Sequence, residues 1–240
     1  MTVDLKAEIE VAKLNKYFGR RHVLKNIEFS LAKGGFLSIF GPNGAGKTTL
    51  VKILSTLEKP TEGTVRIADV VLGDDPAKAR KKIGLISHSP LVYLDLSAYE
   101  NLEFYGTLYG VADLKERAEY LLERVELSHR RYDLARTFSK GMMQRLAIAR
   151  ALMHRPSILF LDEPYSGLDP HAVDILDGLI DSIRSDHTFV MVSHNLDKGL
   201  ELCDTAMIIE DGRVIFFQPK REIDVDAFKD TYRRAVRGDL

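Results

Sequence analysis

Short apolar runs alternate with stretches of helical spacing along most of the chain. β-Forming residues cluster at 9–14, 27–31, 36–40, 63–67, 83–86, 158–161, 188–193, 205–210 and 213–217. Continuous apolar segments such as SILFL and TFVMVS fit strands covered on both faces, as in a parallel sheet, whereas the alternation in EIEVAKL fits a half-exposed antiparallel strand. Strands interleaved with helices predict an α/β fold with a mixed β-sheet core and an antiparallel β edge. Between 99 and 125 the pattern is helical only. Leu102, Tyr105, Leu108 and Tyr109 recur there at three- and four-residue steps and are expected to face the core, so a helical subdomain is predicted at about 88–150. The sheet and its insertion make a single domain over 1–218. Beyond Pro219 the charged tail, 219–240, carries Phe228, Tyr232 and Val236 one helical turn apart and is expected to dock on its own domain.

Composition narrows the class. The chain has 240 residues, 45% of them hydrophobic, enough to bury a real core. Its net charge of -1 provides no broad basic field, so no nucleic acid is expected as a partner. Cys203 is the one cysteine and has no partner for an internal disulfide, which fits a reducing compartment and a small buried apolar role. The start, MTVDLKAEIEV, bears acids where a signal peptide needs a basic and then an apolar block. Apolar runs such as ILFL and VIFF fall far short of the roughly 20 residues of a membrane span, so at a membrane other chains would supply the spans.

The stretch FGPNGAGKTTL carries the chemistry. Gly41, Gly46, Lys47 and Thr48 fit G-x-x-x-x-G-K-[ST], with the strand FLSIF before and a helical pattern after. The intervening Pro42, Asn43, Gly44 and Ala45, and Thr49 beyond, complete a loop whose backbone amides can close around phosphate oxygens at a helix N-terminus. Lys47 would reach the β- and γ-phosphates, and the Thr48 hydroxyl would bind Mg²⁺. In SILFLDEP, Asp162 ends an apolar strand and can hold Mg²⁺, while Glu163 can polarise an attacking water. Nucleotide hydrolysis with Mg²⁺ is the reading these motifs favour.

With FSKGMMQRLAIARAL the chain resembles the ATP-binding cassette (ABC) ATPases, the P-loop nucleotide-binding subunits of transporters, over most of its length. That stretch is similar to the family signature LSGGQ-x-Q-R, with Ser139 and Gly141 at its telling positions and Phe138, Lys140 and Met142 in place of Leu, Gly and Gln. The resemblance implies a homodimer in the ATP-bound state, paired head to tail, in which each signature completes the site of the other chain. It also implies that SGLD, Ser166 to Asp169, touches the partner across the dimer, and that His194 is the switch histidine near the γ-phosphate. In KYFGRRHVL it implies an adenine-stacking ring: Phe18 by its spacing to Gly19, with Tyr17 as the alternative. His88 stands where the family has glutamine and would couple the site to integral-membrane permease subunits, with the chain peripheral on the cytoplasmic face of the inner membrane.

SHSPLVYLDLSAYENLEFY, MMQRLAIARAL and SHNLDKGLELCD together are similar to the ATPases of cytochrome c maturation, the haem-exporter subfamily. A general ABC-2-type exporter ATPase, for multidrug or polysaccharide cargo, is the alternative. A cassette of translation or DNA repair is the alternative of another class, although those usually carry tandem cassettes, coiled coils or zinc elements. None of the seven histidines makes a haem-attachment pattern, so direct haem binding is not indicated.

Overall fold

The computed structural model describes residues 7–87 and 89–238. His88, expected to couple site and permease, lies outside the described residues. The chain opens with β1 (Ala7–Phe18) and β2 (Arg21–Ala32), an antiparallel hairpin, followed by β3 (Phe36–Phe40) and α1 (Lys47–Leu54). Then come β4 (Glu62–Ile67), β5 (Val70–Val71), α2 (Pro76–Arg80) and β6 (Ile83–Ile86). Next are α3 (Ala98–Tyr109), α4 (Leu114–Arg124), α5 (Lys140–Leu152), β7 (Ile158–Asp162) and α6 (Pro170–Ile183). The chain closes with β8 (Thr188–Val192), α7 (Leu196–Leu202), β9 (Thr205–Glu210), β10 (Arg213–Pro219) and α8 (Val225–Arg237).

The expected mixed core and antiparallel part are present as two sheets. One has the order β2-β1-β4-β5 and is antiparallel; the other has the order β10-β9-β3-β8-β7-β6, with parallel pairing from β9 through β6 and β10 as its antiparallel edge. The cause is in the side-chain pattern. In β2 the buried residues Leu24, Ile27, Phe29 and Leu31 keep one face inward, whereas all five residues of β3, β7 and β8 are buried. A strand buried on both faces divides its alternating side chains between two cores. Leu37, Ile39, Phe160 and Val190 join the core beneath the antiparallel sheet and around α1, while Phe36, Phe40, Leu159 and Phe189 join the other, under the helices. Phe36 and Phe189 stack there at 4.9 Å.

The helical part begins at a capping box. Ser97 Oγ accepts from the Glu100 amide, and the Glu100 carboxylate accepts from the Ser97 amide, which fixes the start of α3. Asn101, fully buried, accepts from the Tyr93 amide and donates to the carbonyls of Tyr93 and Ser97, so it organises the preceding loop. The anticipated stripe holds only in part: Leu102 is buried and Tyr105 and Tyr109 are half-buried, but Leu108 is 67% exposed. At 100° per residue Leu108 lies about 120° from Leu102, beyond the face that Ala98, Leu102 and Gly106 define.

The tail folds back. Asp224 caps α8 by accepting from the amides of Asp226 and Ala227, and Phe228 is 1% exposed against Phe40 and Phe216. Lys229 pairs with Asp197 at 2.8 Å. Val236, expected on the docked face, is 51% exposed, and Ala235 is buried in its stead because it sits closer to the direction of Phe228 around the helix.

Candidate active site

The loop between β3 and α1 takes its shape from backbone positions that only glycine tolerates. Gly41 has φ 147, and a Cβ there would lie 2.1 Å from the Ile209 carbonyl oxygen. Gly46, at φ 104, is the N-cap of α1 and brings no side chain to its amides. The first N–H groups of α1 therefore remain without side-chain partners, which is the arrangement that receives an anion. Lys47 is 5% exposed and curls over the loop, donating to the carbonyls of Gly41 at 2.7 Å and Pro42 at 2.8 Å. Burial lowers its pKa, opposed by the charges of Glu163 and Asp162. A phosphate group would supply the negative charge that this buried ammonium lacks.

β7, separated from β3 by β8, delivers the acids. Asp162, 6% exposed, accepts from the Thr48 hydroxyl at 3.3 Å. Burial raises its pKa; the Thr48 hydrogen bond works against this and Glu163 works with it. A divalent cation fits this pair. Hydroxyl and carboxylate are hard oxygen donors, and Mg²⁺ takes one or two protein ligands with phosphate oxygens and water making up the rest. Among the described residues, no cluster of three or more His, Cys, Asp and Glu able to hold a metal occurs.

Glu163 follows at φ 55, a left-handed conformation that a non-glycine residue holds at a cost of order 1–3 kcal/mol. Its amide donates to Val192 O at 3.1 Å, which anchors it to the end of β8. The turn aims its carboxylate at His194, whose Nε2 lies 2.7 Å from Oε1. Both side chains line a cavity of about 350 Å³ together with Asn43, Gly44, Gly46, Lys47, Thr48 and Thr49.

The same cavity also carries an aromatic ring. Phe18 lines it and is 47% exposed, whereas Tyr17 is stacked on His22 at 4.0 Å and does not line it. Successive strand residues point to opposite faces, so only one of the two rings can face the cavity. Lys16 Nζ sits 4.7 Å from the Phe18 ring centroid and is held by Glu58. Arg21 and Val23 also line the cavity, and the motif reading missed both. Their signal was weak: they sit two and four positions after Gly19 in the returning strand, in a basic stretch that could equally be solvated surface.

The family model described as ABC transporter matches residues 24–166. The chain belongs to the ABC transporter family. It is 36% identical to the linearmycin resistance ATP-binding protein of Bacillus subtilis (strain 168) over 218 residues, 90% of this chain and 70% of that protein. It is 35% identical to a lantibiotic transport ATP-binding protein of Streptococcus pyogenes over 209 residues, 86% of this chain and 89% of that one. Among solved structures, a dimeric post-hydrolysis ATP-binding cassette bound to ADP and phosphate superposes with a TM-score of 0.82 at 28% identity, over 90% of this chain and all of that one. This ABC cassette is thus an ATPase that uses ATP with Mg²⁺, and such cassettes work with membrane permease subunits. Among its described residues no helix is long and apolar enough to cross a membrane.

The residues expected of the signature and its partner-facing loop lie apart from this cavity: Ser139, Gly141 and Asp169 do not line it. Ser139 caps α5 by accepting from the Met142 amide at 3.2 Å. Gly141 is buried, and a Cβ there would stand 3.2 Å from Asp169 Oδ2 and 3.5 Å from Ala172 Cβ, so its missing side chain serves packing within the chain. Asp169 in turn caps α6 by accepting from the Ala172 amide at 2.9 Å. The signature and the Ser166 to Asp169 loop therefore form one contiguous surface.

Proposed function

We propose that this ABC cassette is the ATP-hydrolysing subunit of an exporter, working as a head-to-tail homodimer against permease subunits on other chains. The observation that carries the reading is the 2.7 Å contact of Glu163 with His194 in the cavity that holds Lys47 and Thr48. In this reading the loop from Gly41 to Thr49 cradles the phosphates, and Lys47 leaves its carbonyl partners for the β- and γ-oxygens. Thr48 and Asp162 hold Mg²⁺, which when bound neutralises charge on the phosphate oxygens. Glu163 accepts a proton from the attacking water, and His194 orients that carboxylate and faces the γ-phosphate. Phe18 stacks on adenine. Ser139 and Gly141 meet the nucleotide of the partner chain, and Asp169 lies at the same interface. The domain limits, 1–218 with a tail at 219–240, belong to this proposal, as does the peripheral placement on the cytoplasmic face of the inner membrane.

Relatives named for linearmycin resistance and lantibiotic transport favour the ABC-2-type exporter over haem export. The haem-exporter resemblance rests on the loop from residue 87, the signature segment and the segment 193–204 alone. Affinity purification with ATP and Mg²⁺ from detergent-solubilised membranes separates the readings: a drug- or peptide-exporter permease supports the first, small haem-handling membrane subunits the second. Ribosomal or DNA-repair partners with no membrane protein would refute transport altogether. For the chemistry, Glu163→Gln is expected to bind ATP while turnover falls about 10² to 10⁴-fold, the typical contribution of a general base. Retained turnover would remove Glu163 from its role. Lys47→Ala is expected to lose nucleotide affinity in equilibrium binding, and unchanged affinity would refute the loop assignment.

A further inference from the structure

We propose that Asp177, gripped between Tyr165 and Lys198, is a positioning residue that keeps Glu163 and His194 in register for hydrolysis. The inference rests on the roles of Glu163 and His194 proposed above and adds what holds them.

The two side chains come from different loops, one after β7 and one after β8. A cavity of about 250 Å³ lined by Glu163, Pro164, Tyr165 and Ser166 on one side and Ser193, His194 and Asn195 on the other lies between these loops. The Glu163 amide bond to Val192 O sets the backbone spacing at the strand ends, and across the cavity beyond it a strut can hold the side chains. Two residues past Glu163, the Tyr165 hydroxyl donates to Asp177 Oδ1 at 2.7 Å. The other oxygen, Oδ2, receives Lys198 Nζ at 2.8 Å. The Lys198 amide donates to Asn195 Oδ1 at 3.0 Å, and the Asn195 amide donates to Ser193 Oγ at 3.1 Å, so the residues flanking His194 are tied to Lys198 through its own backbone. With the 2.7 Å contact between His194 and Glu163 the ring of interactions is closed.

Its chemistry suits a fixed strut. Asp177 sits within α6, away from either loop, and each carboxylate oxygen has one dedicated partner. A hydrogen bond to a charged acceptor is among the stronger kinds. Burial, and then the bond to Asp177, pushes the Tyr165 pKa up, so the hydroxyl remains a donor. For Lys198, burial opposes the charge, but Asp177 and Glu201 outweigh it and the ammonium persists. Glu201, whose side chain is 65% exposed, lies on the same short helix as Lys198 and does not connect the two loops.

The test is steady-state ATPase kinetics on the full chain carrying Tyr165→Phe, Asp177→Asn, Lys198→Met, Lys198→Arg or the Tyr165→Phe/Lys198→Met pair, with thermal midpoints measured alongside. A displacement of about 1 Å at reacting groups costs about 10²-fold, so Tyr165→Phe, Asp177→Asn and Lys198→Met are each expected to lower kcat about 10- to 100-fold, with KM for ATP changed by less than about twofold. Because Tyr165 and Lys198 act through one carboxylate, the pair is expected to lose little more than its worse member, and Lys198→Arg to recover most of the rate. Wild-type kcat in the single variants, multiplied losses in the pair, or losses that track the thermal midpoint would overturn the proposal. Glu163→Gln is run in parallel. Should it retain turnover, the catalytic reading falls and the strut with it; should it collapse while the strut variants stay at wild-type kcat, only the strut falls.

Discussion

Replacing Phe228 by alanine tests whether the C-terminal helix is part of the cassette's core. The ring is 1% exposed, contacts Phe40 edge-on at 5.4 Å between centroids, and contacts Phe216 in the same manner at 5.1 Å. Truncating a buried phenylalanine typically costs about 3–5 kcal/mol, and each edge-to-face pair accounts for about 0.5–1.5 kcal/mol beyond area burial. Phe40 is the last residue of β3, immediately before Gly41, so the contact lies directly beneath the phosphate loop. Gly199 approaches the Phe40 ring so closely that a Cβ would stand 2.5 Å from it, so the ring is packed on that side as well. The loss is expected near the middle of the range, about 4 kcal/mol. For a chain of this size about 1 kcal/mol corresponds to 2–4 °C, which puts the thermal midpoint down by about 8–16 °C for a loss near 4 kcal/mol. Urea titration read by circular dichroism is the direct assay: the midpoint should fall at constant m. Val236→Ala, at a 51% exposed position of the same helix, is expected to stay within about 0.5 kcal/mol of the wild type. A Phe228→Ala loss below about 1 kcal/mol would refute the docked helix, and equal losses in both variants would refute the assignment of the effect to this ring.

Phe18→Ala is expected to raise the dissociation constant for ATP by about 5- to 150-fold, the equivalent of the 1–3 kcal/mol that base stacking contributes, while Tyr17→Ala leaves it nearly unchanged; the reverse order in fluorescence titrations would exchange the two rings. His154 is held neutral: burial, in the first place, pushes its pKa down to about 4, its Nε2 bonds to Ile83 O at 2.9 Å, and Tyr109 stacks on it at 3.9 Å. Since the unfolded chain binds this proton near pH 6.5 and the folded chain only near 4, stability is full above pH 6.5 and falls as the pH drops through that window, by up to about 3 kcal/mol. His154→Gln should flatten the dependence of urea midpoints on pH between 4 and 6.5, and an unchanged slope would show that His154 does not carry it.

What could be read from the residues alone follows from the range over which each signal acts. The strands at 36–40, 83–86 and 205–210 coincide with β3, β6 and β9 because their predominantly apolar runs are short and sharply bounded. β1 runs well beyond the expected 9–14 because Lys13, at φ 50, belongs to an irregular stretch between Val11 and Leu14 where the pairing register shifts, which breaks the alternation without ending the strand. β5, two residues long, has no period to detect. The phosphate loop was legible because its chemistry needs consecutive backbone amides, so Gly41 to Thr48 had to appear as one segment. Glu163 could be named from its place after an apolar strand, but its left-handed backbone and its contact with His194 could not. Still less legible is the grip on Asp177: Tyr165 and Lys198 are 33 positions apart in the numbering, on a loop and a separate helix, and each has the composition of ordinary surface. Local spacing reveals groups that bind a ligand through neighbouring atoms of one segment. Groups that merely hold such segments at a distance from each other are bound by no spacing rule, so the residues governing the relative placement of Glu163 and His194 emerge only once the sheet has brought β7 and β8 side by side.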